Sequence, residues 1–186
     1  MTIATALAPK IRMTLSEYEA IDPKLRYELI EGALIEMAPP SEEHGGVGYI
    51  LTQDMANLVR KERLGMCFLA ETRFIIDLSR DTALAPDWAF ISTDRLPNGL
   101  SKKYSRIVPD AVIEIRSPSD RASEVRKKME LWIEAGVRIG WEFNPDTEIM
   151  TVYRPNCEPK EIGLDEIVSG EDVLPGFEMT LRKMLE

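Results

Sequence analysis

The stretch "PDAVIEIRSPSD", residues 109–120, sets a glutamate and an arginine inside an otherwise apolar run. Side chains of a strand alternate between its faces, so Val112, Glu114 and Arg116 share one side while Ala111, Ile113 and Ile115 share the other. The second set is the face of a core strand. The first set carries two charges and needs partners for them: an ion pair between Glu114 and Arg116 answers that need, and so does a bound metal. The rest of the chain has to supply the choice.

Working outward, three strand-like runs cover Cys67–Ile76, Asp87–Ser92 and Ile107–Arg116, separated by turn-rich joins, and the sheet is built there. A helix from about Asp120 to Ala135 closes at Gly136, and "VRIGWEF" and "EIMTVYR" read as two further strands joined at "NPDT". Upstream, Ser41 to Leu64 reads as a helix with Val47, Ile50, Leu51, Leu58 and Val59 at helical spacing and Gly65 as its stop. It opens with "HGGVG", whose glycines permit close approach of a backbone or ligand but lack the Lys-Ser/Thr ending of a phosphate-binding loop. Thr14 caps a short helix over "LSEYEAI", with Leu15, Tyr18 and Ile21 toward the core. In "YELIEGALIEM" two alternating runs flank Glu31-Gly32, the place of a two-residue hairpin turn, and Glu28 lies inside the first strand. The end of the chain, "IVSGEDVLPGFEMTLRKMLE", reads as a wrapping tail. The order is mixed α/β. With no internal repeat and no linker, residues 1–186 are expected to form a single domain, 1–12 being a loose lead-in.

A chain of 186 residues buries roughly 70% of its unfolded surface, enough for a core without covalent staples. No apolar run approaches the ~20 residues that span a bilayer, and "MTIATALAPKIR" lacks the apolar core of a secretory signal, so no membrane partner and a cytoplasmic location are expected. Cys67 and Cys157 stand far apart without CxxC spacing, which argues against structural zinc and leaves both as packing residues. The formal charge of −9 opposes tight nonspecific binding to nucleic acid, whose affinity comes from cations displacing counterions on phosphates. A local basic patch or carboxylate-held divalent cations offset that potential.

Two Pro-Asp pairs occur, Pro86-Asp87 and Pro109-Asp110, and the first opens the strand before the one carrying Glu114. The separation allows a strand, a loop and a return. If the two strands are neighbours, Asp87 and Glu114 converge, and two hard oxygen ligands with carbonyls and water suit Mg²⁺ or Mn²⁺. Such an ion activates water and stabilises charge on a phosphodiester.

"YELIEGALIEM", "PPSEEH", "APDWAFIS" and "PDAVIEIRSPSDR", followed by a lysine four residues before an aromatic and then "AGV", together resemble the Uma-two family of restriction-endonuclease-like proteins in the PD-(D/E)XK nuclease superfamily. The resemblance runs from about Met13 to "LPGF" at 174–177. It implies an α/β restriction-endonuclease-like core, a central mixed sheet flanked by helices. It also implies Asp87 and Glu114 as metal-binding carboxylates, with Glu28 as a further acidic contributor. The implied activity is endonucleolytic hydrolysis of DNA with Mg²⁺ or Mn²⁺, and symmetric recognition of a duplex implies a homodimer.

The superfamily pattern places a lysine two residues after the glutamate, where this chain has Arg116. Lys128, at the border of the apolar face of the following helix, offers a substitute, while Lys127 points about 100° away. The missing lysine and the −9 charge also suit a different class, a noncatalytic nucleic-acid-binding or assembly module that retains the fold. Asp110 reads as a strand opener, and the sole histidine, His44, as a cap or surface residue. Trp88, Trp132 and Trp141 read as core.

Overall fold

The computed structural model describes residues 12–22, 24–96, 99–100, 102–118 and 120–186. Of the expected lead-in only Arg12 falls within them, bridged to Ala33, and residues 1–11 lie outside the described residues. Thr14 caps α1 (Leu15–Glu19) in a reciprocal capping box with Glu17, and Leu15 and Tyr18 are buried. The hairpin follows as β1 (Tyr27–Ile30) and β2 (Ala33–Glu36), with φ of 50° at Glu31 and 75° at Gly32. Positive φ at both central residues matches the right-handed twist of the two strands.

Helix α2 (Glu42–Glu62) starts at Ser41, whose side chain accepts from His44 N–H, and buries Leu51, Thr52, Met55 and Val59. Its C-cap is Arg63, at φ 56°, rather than Gly65. Gly65 instead opens β3 (Gly65–Leu69), where a Cβ would lie 2.1 Å from the carbonyl oxygen of Ile91 on the neighbouring strand. Of the glycines at the start of α2, only Gly48 is approached closely, by Ile115; the Cβ directions of Gly45 and Gly46 are open.

The run Cys67–Ile76, expected as one strand, is two. After β3 the chain turns at Glu71 (φ 71°) and resumes as β4 (Phe74–Asp77), which pairs with β5 (Thr82–Leu84) in a different sheet. Then come β6 (Trp88–Ser92), β7 (Ala111–Ile115), α3 (Ala122–Ala135, capped by Gly136 at φ 113°), β8 (Ile139–Asn144) and β9 (Ile149–Tyr153). The tail supplies β10 (Lys160–Ile162), β11 (Ile167–Ser169), β12 (Glu178–Thr180) and α4 (Leu181–Met184).

The central sheet is mixed, in the order β10-β9-β8-β7-β6-β3, with β7 and β8 parallel across the α3 crossover and the other pairs antiparallel. A four-stranded antiparallel sheet, β2-β1-β5-β4, holds the hairpin. The alternation of β7 sorts its side chains as expected. Ala111, Ile113 and Ile115 pack with α2 and with Val168, Leu174 and Met184 of the tail, whereas Val112 packs with Met129 and Trp132 of α3. Helices thus cover both faces of the central sheet. Cys67 is half-buried beside the core, but Cys157 is exposed and so is not the packing residue expected. Among the described residues no helix is long and apolar enough to cross a membrane.

Candidate active site

The register between β6 and β7 makes Trp88 the partner of Ile113, so Asp87 stands one step further, opposite Glu114. Asp87 behaves as a continuation of that ladder. Its N–H donates to Ile113 O (3.1 Å), and its Oδ2 accepts from Ile115 N–H (2.7 Å), which fixes the carboxylate against the strand edge. Glu28 arrives from β1 in the smaller sheet, with Oε1 accepting from Ala85 N–H at 2.8 Å. Glu28 and Glu114 are each 6% exposed.

Helix α3 presents Lys128 and Trp132, four residues apart and therefore on one face, to this pair. Lys128 Nζ lies 2.8 Å from Glu28 Oε1, 2.9 Å from Glu114 Oε2 and 3.2 Å from Ala85 O, which engages its three donors. Trp132 Nε1 donates to the other oxygen of Glu114 at 2.8 Å, so this core tryptophan also orients a carboxylate. The side chain of Lys128 is 16% exposed against 58% for Lys127, which pairs with Glu31 outside the cluster.

Arg116 shares the expected face but pairs with neither Glu114 nor Glu28. Beyond the end of β7 it turns toward Glu142, on the parallel neighbour β8 and in register with Glu114, with Nε 3.7 Å from Glu142 Oε1. Tyr153 donates to the other oxygen of Glu142 at 2.6 Å. Asp110 is buried and structural, bonded to Arg95 and to Ser92 N–H.

His44 is where the reading of the sequence falls short. Its backbone N–H is indeed capped by Ser41, but its ring leaves the helix for the carboxylates: Nε2 is 2.8 Å from Asp87 Oδ1 and Nδ1 is 3.3 Å from Ser117 Oγ. The hydrogen bond to Asp87 holds its pKa above the ordinary imidazole value, against the effect of burial. Glu28, His44, Asp87, Glu114, Ser117 and Lys128 all line one cleft of about 850 Å³; Arg116 does not.

The model of the Uma2 family, described as "Putative restriction endonuclease", matches residues 15–182. The chain belongs to the Uma2 family. A solved structure from Anabaena variabilis, described as "a putative nuclease", superposes with a TM-score of 0.84 at 25% identity, covering 93% of this chain and 97% of that one. No curated protein matches.

In this Uma2 chain the cluster is electrostatically tense. Burial pushes the Glu114 carboxyl up, Lys128 opposes that push, and Asp87 and Glu28 add to it. Burial works against the charge of Lys128 as well, but Glu114 and Glu28 outweigh it and hold the ammonium protonated well above its ordinary range. Two donors on Glu114, one of them cationic, favour its ionised form, but burial outweighs them and the carboxyl is pushed up to about 8. Among the described residues no three His, Cys, Asp or Glu side chains gather in metal-binding geometry. The donor types nevertheless fit a hard divalent cation, because each carboxylate oxygen has a second lone pair and the carboxylates open on the cleft. Residues able to hold it are Asp87 and Glu114. Glu28 lines the same cleft as a further acidic group, its Oε1 engaged by Lys128 and by Ala85 N–H.

Proposed function

We propose that this Uma2 chain is an endonuclease that hydrolyses DNA phosphodiester bonds in the cleft above Asp87 and Glu114, with Mg²⁺ or Mn²⁺ as cofactor. The observation that carries this reading is the lysine. Lys128, from a helix, brings its ammonium to Glu114, while the residue at the strand position, Arg116, is drawn to Glu142 outside the cleft. A compact ammonium beside the carboxylates suits close electrostatic work better than a broad guanidinium. The family match and the nuclease description of the Anabaena structure support the same reaction class.

A bound divalent cation would lower the pKa of water and stabilise negative charge on the phosphoryl group. Asp87, fixed by Ile115 N–H, and Glu114, fixed by Trp132, would hold it without rearranging their backbones. Lys128 bridges Glu114 and Glu28 and favours the ionised form of Glu114 against burial. Its longest contact, to Ala85 O, is the one that passes to a phosphoryl oxygen as charge develops there. Arg116, 22% exposed at the margin, serves phosphate binding through its fork of donors. The homodimer expected for a symmetric duplex belongs to this proposal, and so does a cytoplasmic location.

The saturation of all three Lys128 donors favours one alternative, a binding module in which the cluster is purely structural. Incubation of purified protein with supercoiled plasmid, with Mg²⁺, with Mn²⁺ and with chelator, separates the two. Metal-dependent nicking or linearisation that disappears in Asp87→Asn is the expected result, and an intact plasmid under all conditions overturns the nuclease reading.

A further inference from the structure

We infer that His44 is a nitrogen ligand beside Asp87, so that the site prefers a first-row transition cation such as Mn²⁺ over Mg²⁺. This rests on the reading of Asp87 as a cation ligand, made above. Three observations point to it. First, Nε2 of His44 and Oδ1 of Asp87 are 2.8 Å apart, and two adjacent ligands of an octahedral ion with bonds near 2.05 Å lie about 2.9 Å apart. The pair has the spacing of two donors on one ion; a shared cation would replace the proton between them and sit off the N···O line, so the ring and the carboxylate would turn slightly toward it.

Second, each donor of the pair is held from behind. Asp87 Oδ2 takes Ile115 N–H, leaving Oδ1 toward the histidine, and His44 Nδ1 meets Ser117 Oγ. A ligating imidazole ordinarily has its far nitrogen anchored in this way, which sets both the tautomer and the ring plane. Third, the ring lines the same cleft as Glu114, and the side chain is 15% exposed, so the lone pair is reachable without opening the core. The carboxylates alone suit Mg²⁺. An imidazole nitrogen shifts the preference toward transition ions, which bind nitrogen donors more strongly.

His44 is the chain's only histidine, which makes the inference directly measurable. Full-length protein without a polyhistidine tag is loaded with Mn²⁺ and measured by pulsed electron paramagnetic resonance, and Mn²⁺ and Mg²⁺ affinities are taken by calorimetry for wild type, His44→Ala and Asp87→Asn. The expected result is an imidazole ¹⁴N coupling in wild type that vanishes in His44→Ala. With it should go a loss of Mn²⁺ affinity of about tenfold or more, the loss already typical for an outer-shell partner, and a smaller loss for Mg²⁺. Mn²⁺ binding that depends on Asp87 but shows no ¹⁴N coupling in wild type overturns this inference and leaves the carboxylate site standing. Absence of Asp87-dependent binding of either ion overturns both. The wild-type spectrum decides the matter even if His44→Ala fails to fold.

Discussion

Replacing Lys128 with methionine keeps most of the side chain's length and volume while removing its terminal ammonium, so the cost is mainly electrostatic. Glu28 and Glu114, with side chains 7% exposed, lose the ammonium that lies 2.8 and 2.9 Å from them and then face each other and Asp87. Breaking a buried ion pair by removing one partner costs about 3–5 kcal/mol. The open cleft and the 16% exposure of Lys128 place this case near the lower figure, about 3 kcal/mol, or roughly 6–12 °C in melting temperature for a chain of this size. The pH dependence follows from the carboxyl raised by burial. Glu114 binds its proton more tightly in the folded state, so its contribution to stability is fully present below its unfolded pKa of about 4.5 and is lost as the pH rises through its higher folded value. Without Lys128 the folded pKa rises further. The gap between mutant and wild type should therefore be wide at pH 8 and narrow toward pH 5. Differential scanning calorimetry at both values tests this, with Lys127→Met, on the exposed neighbour, as a control expected to stay within about 0.5 kcal/mol of wild type. In single-turnover cleavage with saturating Mn²⁺, Lys128→Met should be slower by a factor on the order of 10² or more, the scale of one positioned electrostatic group. Melting temperatures equal to wild type at both pH values refute the buried triad, and an unchanged cleavage rate refutes its catalytic use.

Asp87→Asn should abolish divalent-cation binding in calorimetry while melting near wild type at alkaline pH, because an amide oxygen can still accept from Ile115 N–H. By NMR of the metal-free protein the same variant should lower the pKa of His44. The stability that Asp87 lends through the imidazolium is present below about pH 6.5 and fades as the pH rises through the raised folded value, so the two melts should differ most in acid. Arg116→Met should weaken DNA affinity and leave the single-turnover rate at saturating DNA intact, since the guanidinium lies with Glu142 outside the cleft; loss of the chemical step in this variant, with Lys128→Met active, would return the lysine role to Arg116. With a formal charge of −9, the protein should bind duplex DNA weakly in chelator and more tightly with Ca²⁺ at matched ionic strength, and equal anisotropy titrations in the two would speak against a cation-bridged complex.

Local rules carried much of the fold. The period-two pattern of residues 111–116 assigned Glu114 to the face opposite Ile113 and Ile115, and the core clusters divide along that line. The Thr14 cap, the Glu31-Gly32 turn and the Gly136 helix end were equally legible, because each depends on the conformational preferences of one or two adjacent residues. Where continuity in sequence hid a change of sheet, as between β3 and β4, hydrophobicity alone gave no warning. Both halves of the run bury apolar side chains, and only pairing with different partners separates them.

The site divides in the same way. By itself the sequence determined that Asp87 and Glu114 sit at strand positions able to converge, and that Lys128 borders the apolar face of α3 while Lys127 does not. Which cation the carboxylates receive was decided by tertiary structure. Arg116 has the right face, but its long side chain starts beyond the strand end and meets Glu142, a residue 26 positions away that no local pattern links to it. His44 shows the same limit. A polar residue at a helix start is read as a cap because the cap is local, whereas its ring reaches Asp87 and Ser117 only because α2 packs across β7 at Gly48 and Ile115. Periodicity specifies the direction of a side chain from its own element, and packing between distant segments specifies what it meets.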